Sequence, residues 1–152
     1  MKKTKFYGRE YELKQLEQFL EKDSASIIVI KGRRRIGKSR LIQEFVKTTT
    51  QAYIFSGLAP TKQTTAQSQR EEFQRQLERE MNIPPVSAND WGDLFWFMAN
   101  QVKHGRAIIV LDEISWMGSK DPDFLGKLKN AWDLHLKDNP ELILILCGSV
   151  SR

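Results

Sequence analysis

The chain has 152 residues, of which 40% are hydrophobic and 28% charged, with a formal net charge of +5 and a pI near 9.4. That length accommodates one domain with a real core and excludes a second of ordinary size, and the composition is that of a globular rather than a disordered chain. The positive excess suits an anionic partner, although much of it sits in Lys2, Lys3, Lys5 and Arg33, Arg34 and Arg35.

In chain order, Phe6-Tyr-Gly-Arg-Glu precedes a segment in which Leu13, Leu16 and Leu20 recur at helical spacing, predicting a helix that docks one face on the core. Residues 26–31 are apolar and β-branched and read as a strand that runs directly into the loop Gly32 to Gly37. A helix is expected from about Lys38, with Leu41, Ile42, Phe45 and Val46 on one face. Residues 52–55 read as a short second strand, ended by Ser56-Gly-Leu-Ala-Pro60. Over residues 64–81 the sequence is polar apart from Phe73, Leu77 and Met81 at spacing four, which predicts a surface helix with a narrow apolar stripe. Asp90 is placed to cap a helix over 91–102, and Gly105 breaks the chain before a strand at 106–111. Asp121-Pro122 reads as an N-cap followed by proline at the first helical position, with Phe124, Leu125, Leu128, Ala131 and Trp132 on one face of the helix that follows. Residues 142–147 are the fourth strand. The wholly apolar third and fourth strands, alternating with helices, predict an α/β fold whose parallel sheet is covered on both faces.

The apolar runs at 27–30, 107–111 and 142–147 fall far short of the about 20 residues that cross a bilayer. No apolar stretch follows the charged start, so no secretory signal is legible, and a cytoplasmic location is expected. The lone Cys147, inside an apolar run, cannot build a disulfide frame and reads as a small buried hydrophobe.

Two motifs carry chemistry. Gly32-Arg33-Arg34-Arg35-Ile36-Gly37-Lys38-Ser39 fits G-x-x-x-x-G-K-[ST] without a mismatch, between an expected strand and an expected helix. Its glycines let backbone N–H groups turn inward around phosphates, and the helix start adds the positive end of its dipole. Lys38 is expected to reach the β and γ phosphates of ATP and Ser39 to offer its hydroxyl to Mg²⁺, with Arg40 just beyond in the same nucleotide-binding segment. Downstream, Ile108-Ile-Val-Leu-Asp112-Glu113 is an apolar strand that delivers two carboxylates at its carboxyl end. Asp112 is the candidate to hold Mg²⁺, mostly through water, and Glu113 to orient and deprotonate the attacking water. Alone, an Asp-Glu pair after a strand is commonly a solvated turn; after a complete phosphate loop it becomes the second half of a site.

These residues resemble the prokaryotic and archaeal-type ATPase family, P-loop ATPases of the branch that contains the AAA+ and STAND proteins. The resemblance covers nearly the whole chain, through Phe6-Tyr-Gly-Arg-Glu-Tyr-Glu-Leu, the arginine-rich phosphate loop, Leu-Asp-Glu-Ile and Leu-Cys-Gly-Ser149. It implies a P-loop three-layer α/β/α sandwich with a mainly parallel sheet. It also implies that Phe6, Tyr7, Gly8 and Arg9 lie near the adenine and that Ser149 occupies a polar sensor position facing the γ-phosphate. Members usually continue into a fifth strand and a lid, so residues 1–152 are expected to be one domain truncated on its C-terminal side. The edge beside residues 26–31, where the fifth strand would pair, is then a candidate for self-association or a protein partner. Arg9 and Arg152 are the candidates for an arginine finger.

Other features read more blandly. Arg33 to Arg35 fit solvent or subunit contact better than nucleic acid, which stays a possible partner. Trp91, Phe95, Trp96, Phe97 and Met98 fit core packing better than base stacking. His135 falls on the apolar face of its helix as a packed or boundary residue, and His104 sits at a helix end. Trp116-Met117 is expected to bury against the sheet. A rival reading is a STAND-like switch that holds ATP with negligible turnover. Another is a GTPase or small-molecule kinase, but no Asn-Lys-x-Asp element is present, and Asp123-Phe-Leu-Gly126, which formally matches D-x-x-G, falls in an expected helix.

Overall fold

A computed structural model describes residues 13–32, 38–47, 49–87 and 89–149. Four strands form one parallel sheet: β1 (Ser26–Gly32), β2 (Ala52–Ser56), β3 (Ala107–Asp112) and β4 (Leu142–Ser149), in the order β1-β4-β3-β2. The central strands β3 and β4 are apolar on both faces because both faces are covered, and residues 107–111 and 142–145 are buried. At one edge β1 alternates: Ile28 is buried, whereas Ile27 and Val29 are 43% and 59% exposed.

Helices cover the two faces and complete a three-layer sandwich, as expected. On one face, α1 (described over residues 13–17) and α2 (Lys38–Val46) pack Leu16, Leu41, Ile42 and Phe45 onto Ile28, Ile108, Val110, Ile143, Ile145 and Cys147. On the other lie α3 (Ala66–Met81), α4 (Trp91–Asn100), the single turn α5 (Ile114–Met117) and α6 (Phe124–Leu134), over Ile109, Leu111, Leu142 and Leu144. Phe73 of α3 centres this second core, its ring centroid 5.1 Å from Phe55, 5.2 Å from Trp91 and 5.8 Å from Phe95. Cys147 is fully buried, as its apolar surroundings predict.

Caps explain most boundaries. Thr65 and Ser68 form a reciprocal capping box at the start of α3, and the Asp90 carboxylate accepts the Gly92 N–H at the start of α4. Several expectations are corrected. The α4 helix stops at Asn100 instead of 102, because Gln101 and Val102 donate to carbonyls three residues back and end the regular ladder. Asp121 does not cap α6: one of its oxygens accepts the Asp123 N–H at 2.9 Å and the other pairs with Arg70 at 3.1 Å, so the helix starts at Phe124. Leu125 lies one position off the buried stripe of Phe124, Leu128 and Ala131 and is 67% exposed. Trp96 likewise faces away from the core that Trp91, Phe95 and Met98 share, and Phe97 is only partly buried. His135 is exposed instead of packed, because its backbone leaves the helical course at φ −134° and ψ −55°, and Leu136 takes the buried place.

The amino ends of the strands are tied by polar side chains. Asn139, buried, donates to the carbonyls of Val102 and Gly105 at 2.8 and 2.9 Å, and Arg106 donates to those of Glu141 and Leu20 at 2.8 and 2.6 Å. Among the described residues no helix is long and apolar enough to cross a membrane.

Candidate functional site

Parallel pairing puts the carboxyl ends of all four strands on one side of the sheet, where ligands of open α/β sheets sit. Across that edge the register is tight. Gly32, the last residue of β1, pairs with Ser149 of β4, and Ser56, the last of β2, pairs with Asp112 of β3. Strand β1 ends at Gly32 and α2 begins at Lys38, followed by Ser39 and the exposed Arg40. A phosphate loop requires these flanks: a strand end, a helix start and the positive dipole end of that helix between them. Residues 33–37, which include Arg33, Arg34, Arg35, Ile36 and Gly37, lie outside the described residues, as do Phe6, Tyr7, Gly8, Arg9 and Arg152.

The two carboxylates that follow β3 have different backbones. Asp112 completes the strand, and one of its carboxylate oxygens accepts the N–H of Glu113 at 2.9 Å. Glu113 has φ 53° and ψ 51°, in the left-handed region that a residue with a β-carbon occupies at a cost of about 1–2 kcal/mol. Left-handed geometry turns the chain sharply out of the sheet and into α5, with the Glu113 carbonyl accepting the N–H groups of Trp116 at 2.9 Å and Met117 at 3.3 Å. Both acids are only partly buried. Met117 is 1% exposed and Trp116 partly buried, so this turn packs on the sheet as expected.

Three residues that sequence reasoning passed over surround this turn. Gly57 follows β2 and donates its N–H to the Asp112 carbonyl at 3.0 Å. Gln69 and Gln76 of α3 bond the backbone of Leu58 and Ser56. Gln69 carried one legible signal: it stands four residues before Phe73, in register with the apolar stripe, and is 1% exposed. The two histidines do not enter the site. His104 and His135 line a groove of about 600 Å³ at the opposite, amino end of the strands, with Trp96 and Glu141. Among the described residues no three His, Cys, Asp or Glu side chains group together as a metal cage.

Comparison with known proteins agrees with this fold. A solved Walker-type ATPase of Pyrococcus abyssi superposes with a TM-score of 0.57 at 20% identity, over 92% of this chain and 44% of that one. The ORC2 protein of Aeropyrum pernix, solved as ADPNP-ADP complexes, gives a TM-score of 0.56 at 16% identity, over 93% and 40%. At these identities the two show the shared fold. An uncharacterised protein of Methanocaldococcus jannaschii is 28% identical over 146 residues, which are 96% of this chain and 30% of its relative. The chain thus spans under half the length of each of these proteins. The family model for an ATPase domain predominantly from Archaea matches residues 6–151. With nearly its whole length matched, the chain belongs to that family of archaeal ATPase domains.

Proposed function

We propose that residues 1–152 form one P-loop ATPase domain that binds Mg²⁺–ATP at the carboxyl edge of its sheet and hydrolyses it with Glu113 as the base. The observation that carries this reading is the juxtaposition of the strand–loop–helix flanks of Gly32 to Lys38 with the Asp112-Glu113 strand end across one parallel sheet. The donor set suits the metal: a carboxylate at Asp112 and a hydroxyl at Ser39 are hard oxygen ligands, and Mg²⁺ is commonly held by one or two such groups together with substrate phosphates. Bound there, the ion would neutralise charge that develops on the transferred phosphoryl group. Gly32, Gly37 and the backbone between them would cradle the phosphates, and Lys38 would pair with them. Ser149, level with Gly32 in the sheet, would contact the γ-phosphate side, and Phe6 to Arg9 would meet the base. Glu113 would accept the proton of the attacking water, from a turn that it enters with a left-handed backbone.

Single-turnover phosphate release, with nucleotide occupancy measured separately by calorimetry, tests the reading. Glu113→Gln keeps shape and hydrogen-bonding capacity, so ATP affinity should persist while hydrolysis falls by about 10²-fold or more. Equal rates for variant and wild type would remove Glu113 from this role.

A further inference from the structure

Strand β2 lies at the sheet edge opposite β1, and the residues that follow it face outward in alternation. Gly57 bonds inward to Asp112, so the backbone groups of Ser56 and Leu58 point away from β3. Both are taken up by glutamines of one helix. Ser56 donates its N–H to Gln76 Oε1 at 2.8 Å, and Gln76 Nε2 returns a bond to the Ser56 carbonyl at 3.0 Å. Leu58 does the same with Gln69, at 2.9 and 2.7 Å. Each side-chain amide thus copies a neighbouring strand's peptide group. The pair, two helical turns apart, pins residues 56–58 from the outer side.

What this pinning presses inward is Gly57, and it stands directly behind the left-handed turn. A β-carbon on Gly57 would lie 2.7 Å from the Glu113 carbonyl oxygen, 2.9 Å from the Met117 nitrogen and 3.0 Å from the Trp116 β-carbon. Two of these neighbours are backbone atoms of the turn itself, and that carbonyl is the acceptor that starts α5. An unfavourable backbone conformation persists only where its surroundings over-determine it, and such outliers cluster at functional sites.

We propose that Gly57, backed by Gln69 and Gln76, is a positioning residue for Glu113: its missing side chain lets the end of β2 close against the turn and hold the Glu113 carboxylate in reach of its water. Resting on the reading of Glu113 as base, the proposal concerns rate and leaves binding alone, since β1, the strand that leads to the phosphate-loop motif, is separated from β3 by β4. Gly57→Ala must displace the turn, and a misplacement of about 1 Å at a reacting group can cost about 10²-fold in rate.

The experiment is single-turnover phosphate release together with ATP affinity by calorimetry, for wild type, Gly57→Ala, Glu113→Gln and the double variant. Gly57→Ala should hydrolyse about 10-fold to 10²-fold more slowly with ATP affinity unchanged, and adding it to Glu113→Gln should slow that variant no further. A merely structural role would lower affinity or multiply the two losses, and either result overturns the proposal, as does wild-type turnover by Gly57→Ala. If Gly57→Ala fails to fold, Gln76→Ala loosens the same segment without a clash. It should lose several-fold in rate at constant affinity, with no further loss in the Glu113→Gln background, and an unchanged rate would overturn the proposal. A wild type without turnover, or a Glu113→Gln variant as fast as wild type, would instead refute the underlying assignment of the base.

Discussion

Replacing Gln69 by leucine keeps most of the side-chain volume and removes both hydrogen bonds to Leu58. Gln69 is 1% exposed and lies in the stripe that continues into Phe73 and Leu77, so water cannot readily stand in for its amide. Each hydrogen bond contributes about 0.5–1.5 kcal/mol net, and a donor or acceptor left buried and unpaired costs about 1–3 kcal/mol. Leu58 is 39% exposed, so part of its freed backbone rehydrates, and the loss should fall at about 2–4 kcal/mol. The same change at Gln76, whose bonds to Ser56 lie at an exposed position, should cost about 1 kcal/mol or less because solvent replaces the lost partners. Urea unfolding followed by tryptophan fluorescence measures both. With a slope of about 2 kcal/mol per molar urea, the Gln69→Leu midpoint should drop by about 1–2 M and that of Gln76→Leu by about 0.5 M or less. A Gln69→Leu variant within about 0.5 kcal/mol of wild type, or a Gln76→Leu variant equally damaged, would refute the idea that burial decides which glutamine carries the edge.

Phe73→Ala empties the centre of the aromatic cluster and should cost about 3–5 kcal/mol in the same urea experiment. Lys38→Ala should weaken ATP binding markedly through loss of a charge-assisted bond of about 1.5–3 kcal/mol, with calorimetry as the check. Lys127 donates to both oxygens of Asp90, at 3.0 and 2.8 Å, and this hydrogen bond holds the Asp90 carboxyl below the usual carboxylate range. A depressed folded-state pKa gives stability that is present above the unfolded value of about 3.9 and is lost as pH falls through the folded one. Lys127→Met should therefore flatten the acid limb of the stability–pH curve, and also its alkaline limb, because the Asp90 hydrogen bond holds the Lys127 ammonium above its usual range and that stability is lost in wild type as the amine deprotonates. Ile27 and Val29, exposed on edge strand β1, should promote concentration-dependent self-association, and Val29→Lys should suppress it in sedimentation experiments.

The strand and helix pattern was legible because it is local: β-branched runs, helical spacing and the Asp90 cap each express an interaction within a few residues. The motifs that contain Lys38, Ser39, Asp112 and Glu113 are equally local, since the phosphate-loop spacing and the acidic strand end are statements about neighbours in sequence. Where helices stop was less legible. Asp121 looked like a cap and instead serves Arg70, 51 residues earlier in the chain, and His135 left the helical face when the backbone turned after Leu134.

The phosphate-loop motif and the acidic strand end of a parallel α/β chain are written in consecutive residues. How the acidic strand end is held follows from packing between distant segments. That Glu113 takes a left-handed backbone, that Gly57 has no room for a β-carbon, and that Gln69 and Gln76 replace a missing strand all depend on segments brought together from distant positions. No local propensity encodes them: glutamine in a polar helix and glycine after a strand are ordinary choices until packing gives each a partner. A buried amide is specified by the unpaired edge it must satisfy, and that edge exists only once the sheet has formed.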